Sequence, residues 1–223
     1  MRTLLFDIDG TLLITQRAGA SALVQAMDEE FSVENFPIEQ ICFGGRTDCS
    51  LMHEILSIAD IDPSGTNRER LRRRYGTVLQ QVLPRTAGQV LPGVTELLTR
   101  LQGIPATALA VMTGNFSETA RMKLEAFRLH QYFRWIVGGE LDVERCDLAR
   151  RATDVLTKEL GRKPSEVTVI GDTPADVKCA QTIGARCLAV CTGAASRDDL
   201  EKSGPDRIVD DLTDPTVIDF LLQ

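Results

Sequence analysis

Asp7 and Asp9 stand two residues apart in Asp7-Ile8-Asp9-Gly10-Thr11, at the end of the apolar run 3–8. Side chains alternate along a strand, so both carboxylates point to one side, and Gly10 lets the chain turn sharply behind them. Two carboxylates held together repel and stay ionised only where a cation or hydrogen-bond donors compensate. Taken alone, such a pair is a solvated turn; at the end of an apolar strand it is a candidate metal or phosphoryl site. A second acidic pair, Asp172 and Asp176, lies in Gly171-Asp172-Thr173-Pro174-Ala175-Asp176, again after an apolar run. Pro174 suits the first position of a helix and Thr173 its cap, so capping by Thr173 and Asp176 competes with ligation. Magnesium takes oxygen ligands and often only a few carboxylates plus waters. Two strand ends with two acids each would supply them. In Val111-Met112-Thr113-Gly114-Asn115 a hydroxyl and glycine-rich backbone precede a helix predicted near Ser117. That is either a phosphate cradle or an ordinary capping turn.

Positioning these residues requires strands. Runs of strand length occur at 3–8, 107–112, 135–138, 167–171 and 186–191, each too short for a helix. Between them fall helical stripes: Val94, Leu97, Leu98 and Leu101; Ala120, Leu124 and Phe127; and Leu148, Ala152, Val155 and Leu156, stopped by Gly161 and Pro164. Strand–helix alternation with strands apolar on both faces predicts an α/β fold around a mostly parallel sheet. Residues 15–87 break the alternation with three helical stripes: Ala22, Leu23, Ala26 and Met27; Met52, Ile55, Leu56 and Ala59; and Leu71, Tyr75, Val78, Leu79 and Val82. Thr66-x-x-Glu69 has capping-box spacing before the third, and Arg68, Arg70, Arg72, Arg73 and Arg74 form its expected solvated face. The division predicted is a core of 1–14 and 88–223 with a helical cap domain over 15–87.

The 223 residues are 43% hydrophobic, enough for a core without staples. Acids outnumber bases 32 to 25, a net charge of −7, which argues against a nucleic-acid partner but not against a small anionic substrate in a locally positive site. Two histidines exclude a multi-histidine zinc site, and no G-x-G-x-x-G follows the first strand as a dinucleotide site needs. His53 and His130 read as packing or surface residues. The six cysteines form no C-x-x-C and are expected to be reduced and mostly buried. No apolar run approaches the ~20 residues of a membrane span, and no signal segment is evident, so the expected setting is cytoplasmic, without a membrane partner.

In this order, D-x-D-G-T, helical insert, strand ending in Thr113 and G-D-x-x-x-D, the chain resembles the haloacid dehalogenase-like hydrolase superfamily. Within it the resemblance is to small helical-cap phosphatases similar to phosphoglycolate phosphatase, and it covers nearly the whole chain. It implies a Rossmann-like core, Mg²⁺ and a small phosphorylated metabolite as substrate. Asp7 would be the nucleophile forming an aspartyl-phosphate, and Asp9 the general acid and base. Thr113, helped by backbone N–H groups of Gly114 and Asn115, would hold the phosphoryl oxygens. Asp7, the carbonyl of Asp9 and Asp172 would hold the metal, with Asp176 a further ligand or an orienting group. The family expects a lysine about two dozen residues before the Gly-Asp pair; here Arg145 lies nearest that place, just before a helix opening at Asp147, with Arg150, Arg151 and Lys158 as alternatives. Gly44-Gly45-Arg46-Thr47-Asp48 resembles the loop through which capped relatives touch substrate, so Arg46 and Thr47 are candidate substrate contacts, Arg46 toward a second anionic group; a helix-capping turn is the competing reading. Alternatives to a phosphatase are a sugar-phosphate mutase of the same superfamily and a non-catalytic phosphoacceptor or scaffold protein. Substrate identity lies in pocket shape, which these motifs do not encode, and they leave the oligomeric state open.

Overall fold

A computed structural model of the protein describes residues 2–161 and 166–223. In chain order its elements are β1 (Arg2–Phe6), β2 (Leu13–Ile14), α1 (Ala18–Phe31), α2 (Asp48–Ile58), α3 (Gly65–Val82), β3 (Gln89–Val90), α4 (Val94–Gln102), β4 (Thr107–Met112), α5 (Ser117–Ala126), β5 (Trp135–Val137), α6 (Arg145–Leu160), β6 (Glu166–Gly171), α7 (Pro174–Ile183), β7 (Arg186–Val190), α8 (Arg197–Ser203), β8 (Arg207–Val209) and α9 (Thr216–Leu222). Short 3₁₀ turns lie at 38–40, 83–85 and 130–132.

Six strands form a parallel sheet in the order β5-β4-β1-β6-β7-β8, the Rossmann-like α/β core expected. Alternation in the strands loads both faces. Leu4, Phe6, Leu109 and Val111 pack with α4, α5 and α9, while Leu5, Ala110, Met112 and Val169 pack with α6 and α7. Register then aligns the strand ends. Phe6 pairs with both Val111 and Ile170, so Asp7, Thr113 and Asp172 leave the sheet at nearly one level. The chain turns from one flank of β1 to the other between β5 and β6, and ligands in open α/β sheets bind at such a reversal, beyond the carboxyl ends.

The insert has its own apolar cluster, drawn from α1, α2 and α3 and joined by Phe116 at the start of α5. The chain leaves and re-enters the core through an antiparallel two-strand ribbon, Leu13 opposite Val90 and Ile14 opposite Gln89.

Three local expectations change. The α3 cap is Ser64, whose Oγ accepts from the Asn67 N–H; Thr66 lies inside the first turn, so the Thr66–Glu69 box does not form. The arginine face of α3 is partly a seam: the Arg72 guanidinium donates to both oxygens of Glu118 on α5, at 2.6 and 2.8 Å, and lies over the Phe116 ring, while Arg70 and Arg74 pair with Glu30 on α1. Helix α6 opens at Arg145, two residues earlier than Asp147, and ends with Gly161 in the left-handed conformation; Pro164 is outside the described residues. All six cysteines are free, but only Cys179 and Cys187 are buried. His53 is exposed, and His130 is half-buried against the Arg121 guanidinium. No helix among the described residues is long and apolar enough to cross a membrane.

Candidate active site

Asp7 is buried at the end of β1, its backbone N–H bonded to the Ile170 carbonyl of the neighbouring strand. One nitrogen of Arg145, Nη2, lies 3.0 Å from Asp7 Oδ1 and 2.6 Å from Asp176 Oδ1. Arg145 is buried and sits at the amino end of α6, so its guanidinium and the helix terminus add positive charge at one place. Arg150 and Arg151 are drawn elsewhere: Arg150 pairs with Asp147 near the surface, and Arg151 with Asp142 and the Gly138 carbonyl. Of the described basic residues near the expected lysine, Arg145 is the one at Asp7.

Asp172 faces Asp7 from the end of β6, with its Oδ1 accepting from the Thr11 hydroxyl at 3.0 Å. Gly10 is required between them: it has a φ of +85°, and a Cβ there would lie 2.4 Å from Asp172 Oδ2. The capping reading of the second acidic pair is observed. Thr173 and Asp176 form a capping box on α7, and Asp176 Oδ2 accepts from the Thr173 N–H and hydroxyl. With Oδ1 given to Arg145, the Asp176 carboxylate is committed on both oxygens. These bonds suit an orienting role, while its oxygens stay close enough to those of Asp7 and Asp172 to join them in ligation.

Carboxylate oxygens of Asp7, Asp172 and Asp176 all lie within 4.8 Å of one another. Burial, offset by Arg145 and reinforced by Asp176 and Asp9, pushes the Asp7 carboxyl up to about 6. Burial and then the charges of Asp176 and Asp7 push Asp172 up to about 8. Three acids with one guanidinium are under-neutralised, and the donors are all oxygen. The set fits a hard divalent cation.

Asp9 diverges from Asp7 and meets two side chains of the opposite strand end. Its Oδ2 accepts from Lys123 Nζ at 2.6 Å and from Asn115 Nδ2 at 2.8 Å, and Lys123 also donates to Asn115 Oδ1 at 2.7 Å. Lys123 is 4% exposed. Sequence reasoning missed it, although the signal was present: with Ala120, Leu124 and Phe127 it occupies the i+3 position of the apolar stripe of α5, where a lysine needs a partner.

Thr113 is fully buried, and its hydroxyl accepts from the Asn115 N–H at 3.3 Å and side-chain amide at 2.8 Å. The expected cradle of backbone N–H groups is therefore only partly open, because the Asn115 N–H turns onto Thr113. The amino end of α5 is closed too: Phe116 N–H donates to Asp48 and Ser117 N–H to Glu140. Gly114 is needed for close approach, since a Cβ would lie 1.9 Å from the Arg46 carbonyl of the insert loop. In that loop the helix-capping reading holds at Thr47. Thr47 is buried, caps α2 through the Ser50 N–H, donates to the Val143 carbonyl, and does not line the cavity. Arg46 does line it, with its guanidinium paired to Glu54 of α2. Asp48, the other candidate cap for α2 in the sequence, lies in the first turn instead. Its carboxylate takes the Phe116 N–H at 2.9 Å, and burial pushes it up to about 6 despite Lys123 nearby.

A cavity of about 690 Å³ lies between the strand ends and the insert. Asp7, Asp9, Thr113, Arg145 and Asp172 line it from the core, and Arg46 and Asp48 from the insert. Such a site can carry out nucleophilic displacement with a second carboxylate positioned for proton transfer.

A family profile described as haloacid dehalogenase-like hydrolase matches residues 4–190. The chain is similar to the probable phosphatase IndB of Dickeya dadantii, 29% identical over 207 residues that span 92% of this chain and 88% of the relative. It is 27% identical to the phosphoglycolate phosphatase of Pectobacterium atrosepticum over 221 residues, 96% of this chain and 90% of that one. Among solved structures it superimposes on CbbY from Rhodobacter sphaeroides, determined with phosphate, at a TM-score of 0.73 and 20% identity, with 95% of each chain covered.

Proposed function

The chain belongs to the haloacid dehalogenase-like hydrolases and is a phosphoric monoester hydrolase; from that premise we propose a Mg²⁺-dependent reaction on a small phosphorylated metabolite, with Asp7 as nucleophile and residues 15–87 as a cap over the site. The observation that carries it is the convergence of Asp7, Arg145, Asp172 and Thr113 in one cavity, with Asp9 held at a separate station by Lys123 and Asn115.

In the first half-reaction an Asp7 carboxylate oxygen attacks phosphorus and the bond from phosphorus to the alcohol oxygen breaks. Asp9 gives that oxygen its proton, so the alcohol leaves neutral and Asp7 becomes an aspartyl-phosphate. In the second, Asp9 takes a proton from water, whose oxygen attacks phosphorus; the Asp7–phosphorus bond breaks, leaving inorganic phosphate and the free carboxylate. Arg145 anchors Asp7 and donates toward the phosphoryl oxygens with the Thr113 hydroxyl. A magnesium ion held by the open oxygens of Asp7 and Asp172 and by the Asp9 carbonyl would screen the repulsion between the incoming phosphate and Asp7. Lys123 and Asn115 fix the Asp9 carboxylate on the leaving-group side.

Phosphate release from a panel of phosphomonoesters, with Mg²⁺ and with EDTA, tests the reading. Mg²⁺-dependent release is expected, and Asp7→Asn should lower turnover by at least about 10³-fold. No release from any ester, or full activity in Asp7→Asn, overturns it. Isomerised sugar phosphate without free phosphate would indicate a mutase.

A further inference from the structure

The core half of the cavity accounts for a phosphoryl group; the insert half must receive the alcohol. That half mixes polar side chains with a share of hydrocarbon. Leu23 on α1, Leu51 on α2 and Ile41 before α2 line it and are otherwise buried, and Ile14, Ala20 and Phe43 line it while half-buried. At about 690 Å³ the whole cavity falls within the ~300–1,000 Å³ of pockets that enclose sizeable organic ligands. A two-carbon acid attached to phosphate would leave much of it to water against apolar walls.

Charge points the same way. Four cationic side chains line the cavity, and three are paired with carboxylates of the protein: Arg145 with Asp7 and Asp176, Lys123 with Asp9, and Arg46 with Glu54. The fourth, Arg17, is an exposed residue at the start of α1 and forms no ion pair among the described residues. Two acids, Asp48 and Glu39, line the insert side as well. A carboxylate on the alcohol would have to displace Glu54 from Arg46 or reach out to Arg17, with Asp48 and Glu39 facing it. Burying a charge without a partner is costly, whereas burying methylenes against these walls is favourable.

We propose that the preferred ester is the monophosphate of a neutral alcohol with an apolar hydrocarbon body, seated against the wall of Ile14, Leu23, Ile41, Phe43 and Leu51, and not that of a small hydroxy acid. The proposal rests on the phosphomonoesterase reading and narrows it to a substrate class.

The test is kcat/KM for a series of n-alkyl monophosphates from ethyl to hexyl, measured beside phosphoglycolate on the intact protein with Mg²⁺. The constant for burying one methylene gives an expected rise of roughly fourfold per carbon, hence about 250-fold over the four carbons from ethyl to hexyl. Phosphoglycolate should fall below butyl phosphate. In Phe43→Ser, a half-buried loop position, the series should flatten. A flat or falling series in the native protein, phosphoglycolate turned over better than butyl phosphate, or an unchanged slope in Phe43→Ser each overturns the inference while leaving a phosphatase in place. Absence of phosphate from every ester removes the phosphomonoesterase reading itself and this inference with it.

Discussion

Lys123 shows how much one buried side chain reveals about a site. A lysine 4% exposed needs a charged partner, and its partner is the carboxylate assigned to proton transfer. Lys123→Met keeps the length and apolar stem while removing the contact to Asp9. If the contact positions Asp9 for protonating the leaving group, kcat on alkyl phosphates should fall about 10²-fold with little change in KM. The burst of p-nitrophenol from p-nitrophenyl phosphate, whose leaving group needs no proton, should be largely kept, and Lys123→Arg should restore part of the loss. Equal losses on both ester types would assign Lys123 to packing alone. Arg145 teaches the reverse lesson. Its place in the chain left four basic candidates; its burial between Asp7 and Asp176, which share its Nη2, separates it from Arg150 and Arg151, each drawn to another carboxylate.

Among the elements, α2, α3 and α5 form the joint between insert and core. The Asp48 N–H donates to the Gly114 carbonyl while its carboxylate accepts from Phe116, and Arg72 ties α3 to Glu118. The Asp48 carboxyl is raised from 3.8 to about 6, so between those values the folded protein binds more protons than the unfolded chain. Its contribution to stability therefore falls as pH rises through that window and is most unfavourable above about 6. Asp48→Asn can still accept the Phe116 N–H through its amide oxygen without burying a charge. Its Tm should exceed that of the native protein by a few degrees at pH 7.5, with the gap closing below pH 4; a Tm lowered at pH 7.5 would show that the ionised form is the stabilising one. Helix stripes in the insert were legible because each presents an apolar face at 3.6-residue spacing. The first turn of α3 was misread because Ser64 and Thr66 are both competent caps, and only the backbone path chooses between them. Strands β2, β3 and β8 are two or three residues long and carry too little alternation to stand out.

At the scale of the molecule the protein keeps a cluster of under-neutralised acids where three strand ends meet. Asp7 and Asp172 are both pushed upward by burial, and the charge of Asp176 raises each of them further. A cation bound by the folded state alone adds stability by mass action, about 2.7 kcal/mol at a hundredfold excess over Kd, or roughly 5–10 °C in Tm for a chain of this length. Thermal unfolding at pH 7.5 should shift upward by that order on adding Mg²⁺ and return on adding EDTA, and Asp172→Asn should lose most of the shift. An unchanged Tm in saturating Mg²⁺ would count against the metal assignment.

The chain alone determined the class of chemistry: two acidic pairs and a hydroxyl, each behind a short apolar run, are local patterns, and strand alternation places them without knowledge of the rest of the fold. The net charge of −7 does not rule out a site for a phosphate, because the compensation is local: Arg145 supplies one positive charge, and a cation held by the under-neutralised acids would supply the rest. Tertiary structure decided what depends on residues far apart in the chain. Lys123 meets Asp9 across 114 positions, Asp176 is bonded by Arg145 arriving from another helix, and Arg46 turns to Glu54 in a cavity that Leu23, Ile41 and Leu51 also line. Side-chain type and spacing carry periodicity and local chemistry; which partner a charge finds is set by packing between elements, and no single stretch of sequence contains it.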